Sequence, residues 1–170
     1  MFMIIRVILW IFAAWRWGDW RHWKKYQSTI LFFILLDLLY NFLTYNHTLW
    51  QYEPTPLIPN HTLNNMIVMF IFYPCIVLIY LGRYPSGKVK QGAWIIFWAS
   101  FLSLIEFINN KAGLITFHNG WNIMWSIFFY LYSLPILRLH YKRPLLTYLL
   151  AVLITIGLLW IFKVPISKMK

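Results

Sequence analysis

Asp37 is the single carboxylate inside the apolar run 28–50, STILFFILLDLLYNFLTYNHTLW. An acid taken into lipid costs about 2.5–3.5 kcal/mol on insertion scales, against a gain of about 0.3–0.6 for each Leu, Ile or Phe. The surrounding apolar residues can carry Asp37 in. An acid at that depth is nonetheless by default a functional group: a proton site, a ligand anchor or an assembly contact. Asn41 follows one helical turn later on the same face, so this polar stripe is expected to turn away from lipid and toward other helices. Asn109 and Tyr130 are further candidate partners for the acid.

His47, His61, Asn65, Glu106, His118 and Asn122 cluster near the ends of neighbouring apolar runs. With Asp37 and Asn41 they predict an outward-facing polar cavity floored by the acid. Imidazole and carboxylate also suit a divalent metal. His47, His61, His118 and Glu106 therefore define an alternative, a membrane-embedded, metal-dependent hydrolase or transferase acting on lipid at the outer face. No H-E-x-x-H pair, G-x-S-x-G elbow, phosphate-cradling loop or dinucleotide fingerprint occurs. The sequence thus predicts no catalytic residue and no cofactor, and the leading reading is a non-enzymatic binding, sensory, transport or accessory subunit. The many Asn residues at run ends read first as helix caps, because an Asn side chain accepts from the free N–H groups of a first turn. Trp50, Trp121 and Trp125 read as interface anchors rather than a ligand cage.

The elements that must hold these residues follow from composition. The chain is 61% apolar and 21% aromatic, with only 11% charged residues, where soluble domains carry about 25%. Continuous apolar runs separated by short basic clusters predict an all-α polytopic membrane bundle and exclude a β-barrel, whose strands alternate. One integral membrane domain, 1–170, is expected, with helices at 2–17, 28–50, 62–82, 92–109, 122–139 and 145–162. Six would span, or five if the first lies in the interface. That first run lacks a small-x-small cleavage site, and its basic cluster follows the apolar stretch, so it reads as a retained helix. Arg6 within it is expected to snorkel to the interface. Pro74 and Pro135 are expected to kink their helices, and Cys75 reads as a packed apolar residue.

The net charge of +11 would suggest nucleic acid in a soluble chain. Here the bases sit at helix ends, which excludes nucleic acid and points to anionic lipid headgroups. Links one, three and five hold ten of the fifteen bases: Arg16, Arg21, Lys24, Lys25, Arg83, Lys88, Lys90, Arg138, Lys142 and Arg143. The positive-inside rule then puts the odd links in the cytoplasm and both termini outside. The inner half is expected to be dry. A His-x-x-x-Asn pair occurs twice, His61 with Asn65 and His118 with Asn122, each placed to open an inward-running helix. A chain this short is expected to act as a homo-oligomer or within a membrane complex if it conducts a solute.

The segments WGDWRHWKKY, NFLTYNHTLWQYEPTPLIPNHTLN, FHNGWN and HYKRPLL together resemble an uncharacterised family of small multi-spanning membrane proteins found in endospore-forming bacteria of the Bacillus and Clostridium type. The resemblance covers nearly the whole chain. It implies a bacterial cytoplasmic membrane or spore inner membrane location, and it carries over no catalytic residue.

Overall fold

The structure, a computed structural model, describes residues 2–170. Six helices follow one another among them: α1 (Phe2–Trp17), α2 (Trp20–Leu43), α3 (His61–Gly82), α4 (Lys88–Lys111), α5 (Ile123–Lys142) and α6 (Pro144–Ile161). Two short strands, β1 (Trp50–Tyr52) and β2 (Ile115–Phe117), pair antiparallel with Gln51 opposite Thr116. The expected all-α bundle is the fold, and α2 to α6 are each long and apolar enough to cross a membrane. α1 is 16 residues long, about 24 Å, shorter than a hydrocarbon core of about 30 Å. It packs along α3 inside the same bundle.

α3 is the axle. In its most apolar window 61% of residues are buried inside the protein, against 22% or less in the other four long helices. Its second half, YPCIVLIYLG, buries every residue from Cys75 to Leu81. The outer helices instead leave large apolar side chains uncovered: on α6, Leu145 and Trp160 are each 81% exposed. Such a surface suits acyl chains rather than water.

Contacts between helix ends show an up-and-down arrangement. At one end lie the β1–β2 ribbon, the Arg6–Asn109 bond, the His47–Phe162 bond, and the tail, where Lys170 N–H donates to Phe42 O. At the other end Asp19 N–H donates to Leu78 O, and the Arg83 guanidinium donates to Trp17 O. There Gly82 meets Asp19 so closely that a Cβ on Gly82 would stand 2.6 Å from the Asp19 Cβ. Gly82 is what allows the first link to seat on the end of α3.

Several helix boundaries differ from those expected: α4 runs Lys88–Lys111 rather than 92–109, α5 reaches Lys142 rather than 139, and α2 differs most. α2 occupies Trp20–Leu43 rather than 28–50. Its start is drawn earlier by Asp19, whose carboxylate accepts from the Tyr26 hydroxyl and from His22. Its end comes earlier because the Thr44 hydroxyl closes the last turn on Tyr40 O, and Trp50 is taken into β1. Asp37 therefore lies six residues from the ribbon end of α2, about 9 Å, and not at mid-span. In α3 the kink expected at Pro74 takes the form of a wide π turn over Val68–Phe72, closed by Tyr73 N–H donating to Val68 O. This turn relieves the clash that the proline ring makes with the preceding carbonyls.

Candidate ligand cavity

Asp37 is buried and holds three donors. Its Oδ1 accepts from Asn41 Nδ2 at 2.7 Å and from Asn65 Nδ2 at 3.1 Å, and its Oδ2 accepts from the Tyr73 hydroxyl at 2.5 Å. Asn41 reaches it as the sequence predicts, one turn on. Asn65 and Tyr73 come from α3, eight residues apart. In a regular helix that spacing leaves them about 80° out of line. The π turn between them absorbs one residue, so the spacing behaves as seven and both face α2. Tyr73 also stacks on Phe33 with ring centroids 3.8 Å apart, which fixes its hydroxyl at the acid.

His61 joins the network from the first turn of α3, which Asn60 caps by accepting from Leu63 N–H. Tyr52 N–H donates to His61 Nδ1 at 3.0 Å, so the imidazole proton sits on Nε2, 3.0 Å from the Asn41 Oδ1 that accepts it. A chain of directed bonds thus runs from β1 through His61 and Asn41 to Asp37. The ribbon is pinned by a second route as well. Tyr40 stacks on Trp50 at 3.7 Å, and its hydroxyl accepts from the N–H groups of Leu49 and Trp50.

Glu106 on α4 has a separate set of partners. Its Oε1 accepts from the Ser126 hydroxyl and its Oε2 from the Tyr130 hydroxyl, both at 2.5 Å. Ser126 and Tyr130 are i and i+4 on α5 and so share one face. Trp121 Nε1 donates to Ser126 and orients it. Tyr130 therefore serves Glu106 rather than Asp37. Asn109, the other partner expected for Asp37, accepts from Arg6 Nη1 at 2.9 Å. Arg6 does not snorkel outward. Its guanidinium turns into the bundle, bonded to Asn109 and to Met3 Sδ, with Nε buried and unpartnered.

Asp37, Glu106 and Arg6 line one cavity of about 250 Å³ between the helices. It runs from Trp50 and Tyr52, beneath the ribbon, to Leu137 and Ala151 deeper in the bundle. Its walls are mainly apolar and aromatic. Tyr52 hangs from the ribbon among these three ionisable residues. Burial, then the Asp37 and Glu106 carboxylates, push its phenol above the ordinary value, while Arg6 pulls the other way. Among the described residues the one salt bridge is Asp19–His22, so neither cavity carboxylate has a basic partner within bonding distance.

The remaining expected site residues lie elsewhere. His47 Nε2 donates to Phe162 O, and His118 Nε2 donates to the Thr116 hydroxyl, which in turn donates to Glu53. Asn122 caps α5 by accepting from Met124 and Trp125 N–H. His118 stands in the turn before α5, so the two His-x-x-x-Asn pairs are not structural equivalents. The proposed metal set of His47, His61, His118 and Glu106 is dispersed over these separate partners. Among the described residues no three His, Cys, Asp or Glu side chains are placed to hold a metal ion. Trp121 is buried, and with Trp50 it lines the cavity instead of forming an interface belt. The half of the bundle away from the ribbon, expected to be dry, also holds polar groups: buried Thr29 and His140 bond at 3.1 Å between α2 and α5.

Spacing alone could find Asp37 with Asn41 and Ser126 with Tyr130, but nothing in the sequence marks Tyr73 or the inward turn of Arg6. Neither protein-family models, nor curated proteins, nor solved structures provide a match to this chain.

Proposed function

We propose that this chain is an integral membrane protein that binds a small solute in the chamber between its helices, as a binding, sensory, transport or accessory subunit. The observation that carries this reading is the convergence of two carboxylates and one guanidinium on a largely apolar cavity of about 250 Å³. Folding three charged groups into a low-dielectric space is costly, and a bound polar solute compensates that cost when present. A concave, mostly apolar pocket with a few convergent polar groups is the usual form of a small-molecule site. The partners of the carboxylates are amides and hydroxyls that position and stabilise charge, so the reading is non-enzymatic.

The distribution of bases favours the ribbon end outside and the basic links in the cytoplasm, against anionic lipid. The family resemblance favours a bacterial cytoplasmic or spore inner membrane. Native mass spectrometry of protein extracted in mild detergent tests the reading. A small-molecule adduct lost in Asp37→Leu/Glu106→Leu protein, with the variant still folded, is the expected result. An adduct-free protein whose melting temperature is unmoved by any of a broad set of small amphiphiles would refute it.

A further inference from the structure

Resting on that reading of the cavity, we propose that its ligand is a small organic monocation, an amine or quaternary ammonium with an apolar body. The ionisable side chains in the lining are unequal in number: two carboxyl groups, Asp37 and Glu106, against one guanidinium, Arg6. The guanidinium does not cancel either acid directly, because its polar contacts are to Asn109 and Met3. The acids also retain acceptor capacity. A carboxylate offers about four lone-pair positions; Asp37 spends three and Glu106 two. The partners of Asp37 include two amide N–H₂ groups that can only donate, which suits the ionised form.

Size and wall chemistry narrow the occupant. The cavity, about 250 Å³, corresponds to the liquid volume of about eight waters, room for a single ring with a small ammonium head. Aromatic faces supply the rest of the recognition, since a cation over Trp or Tyr is held by the ring quadrupole, most strongly when both are desolvated. Trp50 and Trp121 approach each other at 4.9 Å, with Tyr40 stacked behind Trp50. An inorganic divalent cation fits poorly, because the walls are mostly apolar and the two acids are bound to separate partner sets. An organic anion would have Arg6 to meet it but two carboxylates to oppose it.

The test uses the full chain in lipid nanodiscs and three probes: benzyltrimethylammonium, its isosteric neutral carbon analogue neopentylbenzene, and the smaller anion phenylacetate. Binding is read by quenching of tryptophan fluorescence and by thermal shift. The expected result is that the cation binds tighter than the neutral isostere by about tenfold or more. Asp37→Asn and Glu106→Gln should each weaken the cation while leaving neopentylbenzene unchanged, which also certifies that the variant cavity is intact. Arg6→Gln should tighten the cation severalfold, a gain that a misfolded protein cannot show. Equal binding of cation and isostere would overturn the charge inference and leave the cavity as a solute site. Phenylacetate binding tightest would overturn it in favour of an Arg6-anchored anion. No binding by any of the three would overturn this inference, and, if broader amphiphiles also fail, the proposed function with it.

Discussion

Asp37 and Glu106 line the same cavity, but the chain holds them by different means. Asp37 is gripped from three elements: Asn41 on its own helix, Asn65 and Tyr73 on α3, and, through Asn41, His61 and the ribbon. Glu106 is gripped by two hydroxyls one turn apart on a single helix. Amide donors at fixed positions cannot turn away when the acid is lost, whereas hydroxyls can rotate to another acceptor. The difference suggests that Asp37 is the structural keystone as well as a ligand contact, and that Glu106 is the more adjustable of the two.

The largest expected effect is at Asp37. Asp37→Ala leaves Asn65 and Tyr73 without their acceptor, while Asn41 keeps its bond to the residue-37 carbonyl, and should cost about 2–5 kcal/mol, at about 1–3 kcal/mol for each donor left unpaired. Glu106→Ala should cost less, about 1–3 kcal/mol, because Ser126 and Tyr130 can re-pair. Reversible unfolding in mixed micelles measures both, and a larger loss at Glu106 would invert the comparison. Next comes Tyr73→Phe, which removes one bond to the acid and should cost about 1.5–3 kcal/mol. Combined with Asn65→Ala it should show coupling of about 0.5–3 kcal/mol, since the two share an acceptor. Combined with Tyr130→Phe it should be additive within about 0.5 kcal/mol, and strong coupling there would merge the two networks into one.

A smaller effect is expected at His61. His61→Ala takes a donor from Asn41 and an acceptor from Tyr52 and should cost about 1–2 kcal/mol. Its imprint should fall on the Asp37 network and leave Tyr130→Phe unchanged in a double-mutant cycle. The smallest effect lies at the opposite end, at Asp19. Burial of this carboxylate opposes its charge, but the bonds from Tyr26 and His22 outweigh that and hold its pKa below the ordinary value. A depressed folded pKa means the stabilisation is complete above the unfolded value of about 3.9 and is lost as pH falls through the folded one. The stability gap between the parent and Asp19→Asn should therefore be present at neutral pH and close only below about pH 4.

How much of this the sequence shows depends on whether a regular period carries it. The apolar runs reveal the helices, and the i, i+4 spacing of Asp37 and Asn41 reveals the first half of the keystone. Asn65 and His61 were also expected at the site, because they open an apolar run near the same end. Tyr73 is invisible to the same reasoning, since the π turn before Pro74 changes the face on which it lies. Arg6 resembles an interfacial base until α1 is seen to pack along α3 with Asn109 within reach. The ribbon escapes notice because three-residue strands have too few positions to show alternation, and with it goes the roof that hangs Tyr52 over the cavity. Asn122 and His118 show the opposite error: a repeated pattern suggested equivalent roles, where one residue caps a helix and the other stays in a turn.

The central claim is that a solute-accessible chamber, continuous with the ribbon end, reaches the middle of the bundle. Cysteine accessibility tests it directly. In a Cys75→Ala background, Ser133→Cys and Thr155→Cys line the cavity, and Leu153→Cys lies on the outer surface of α6, 64% exposed there. A water-soluble methanethiosulfonate ammonium reagent added to intact cells or right-side-out vesicles should modify the first two readily and the third slowly, because the acyl chains around Leu153 exclude the reagent. Equal inertness at all three positions would contradict the chamber.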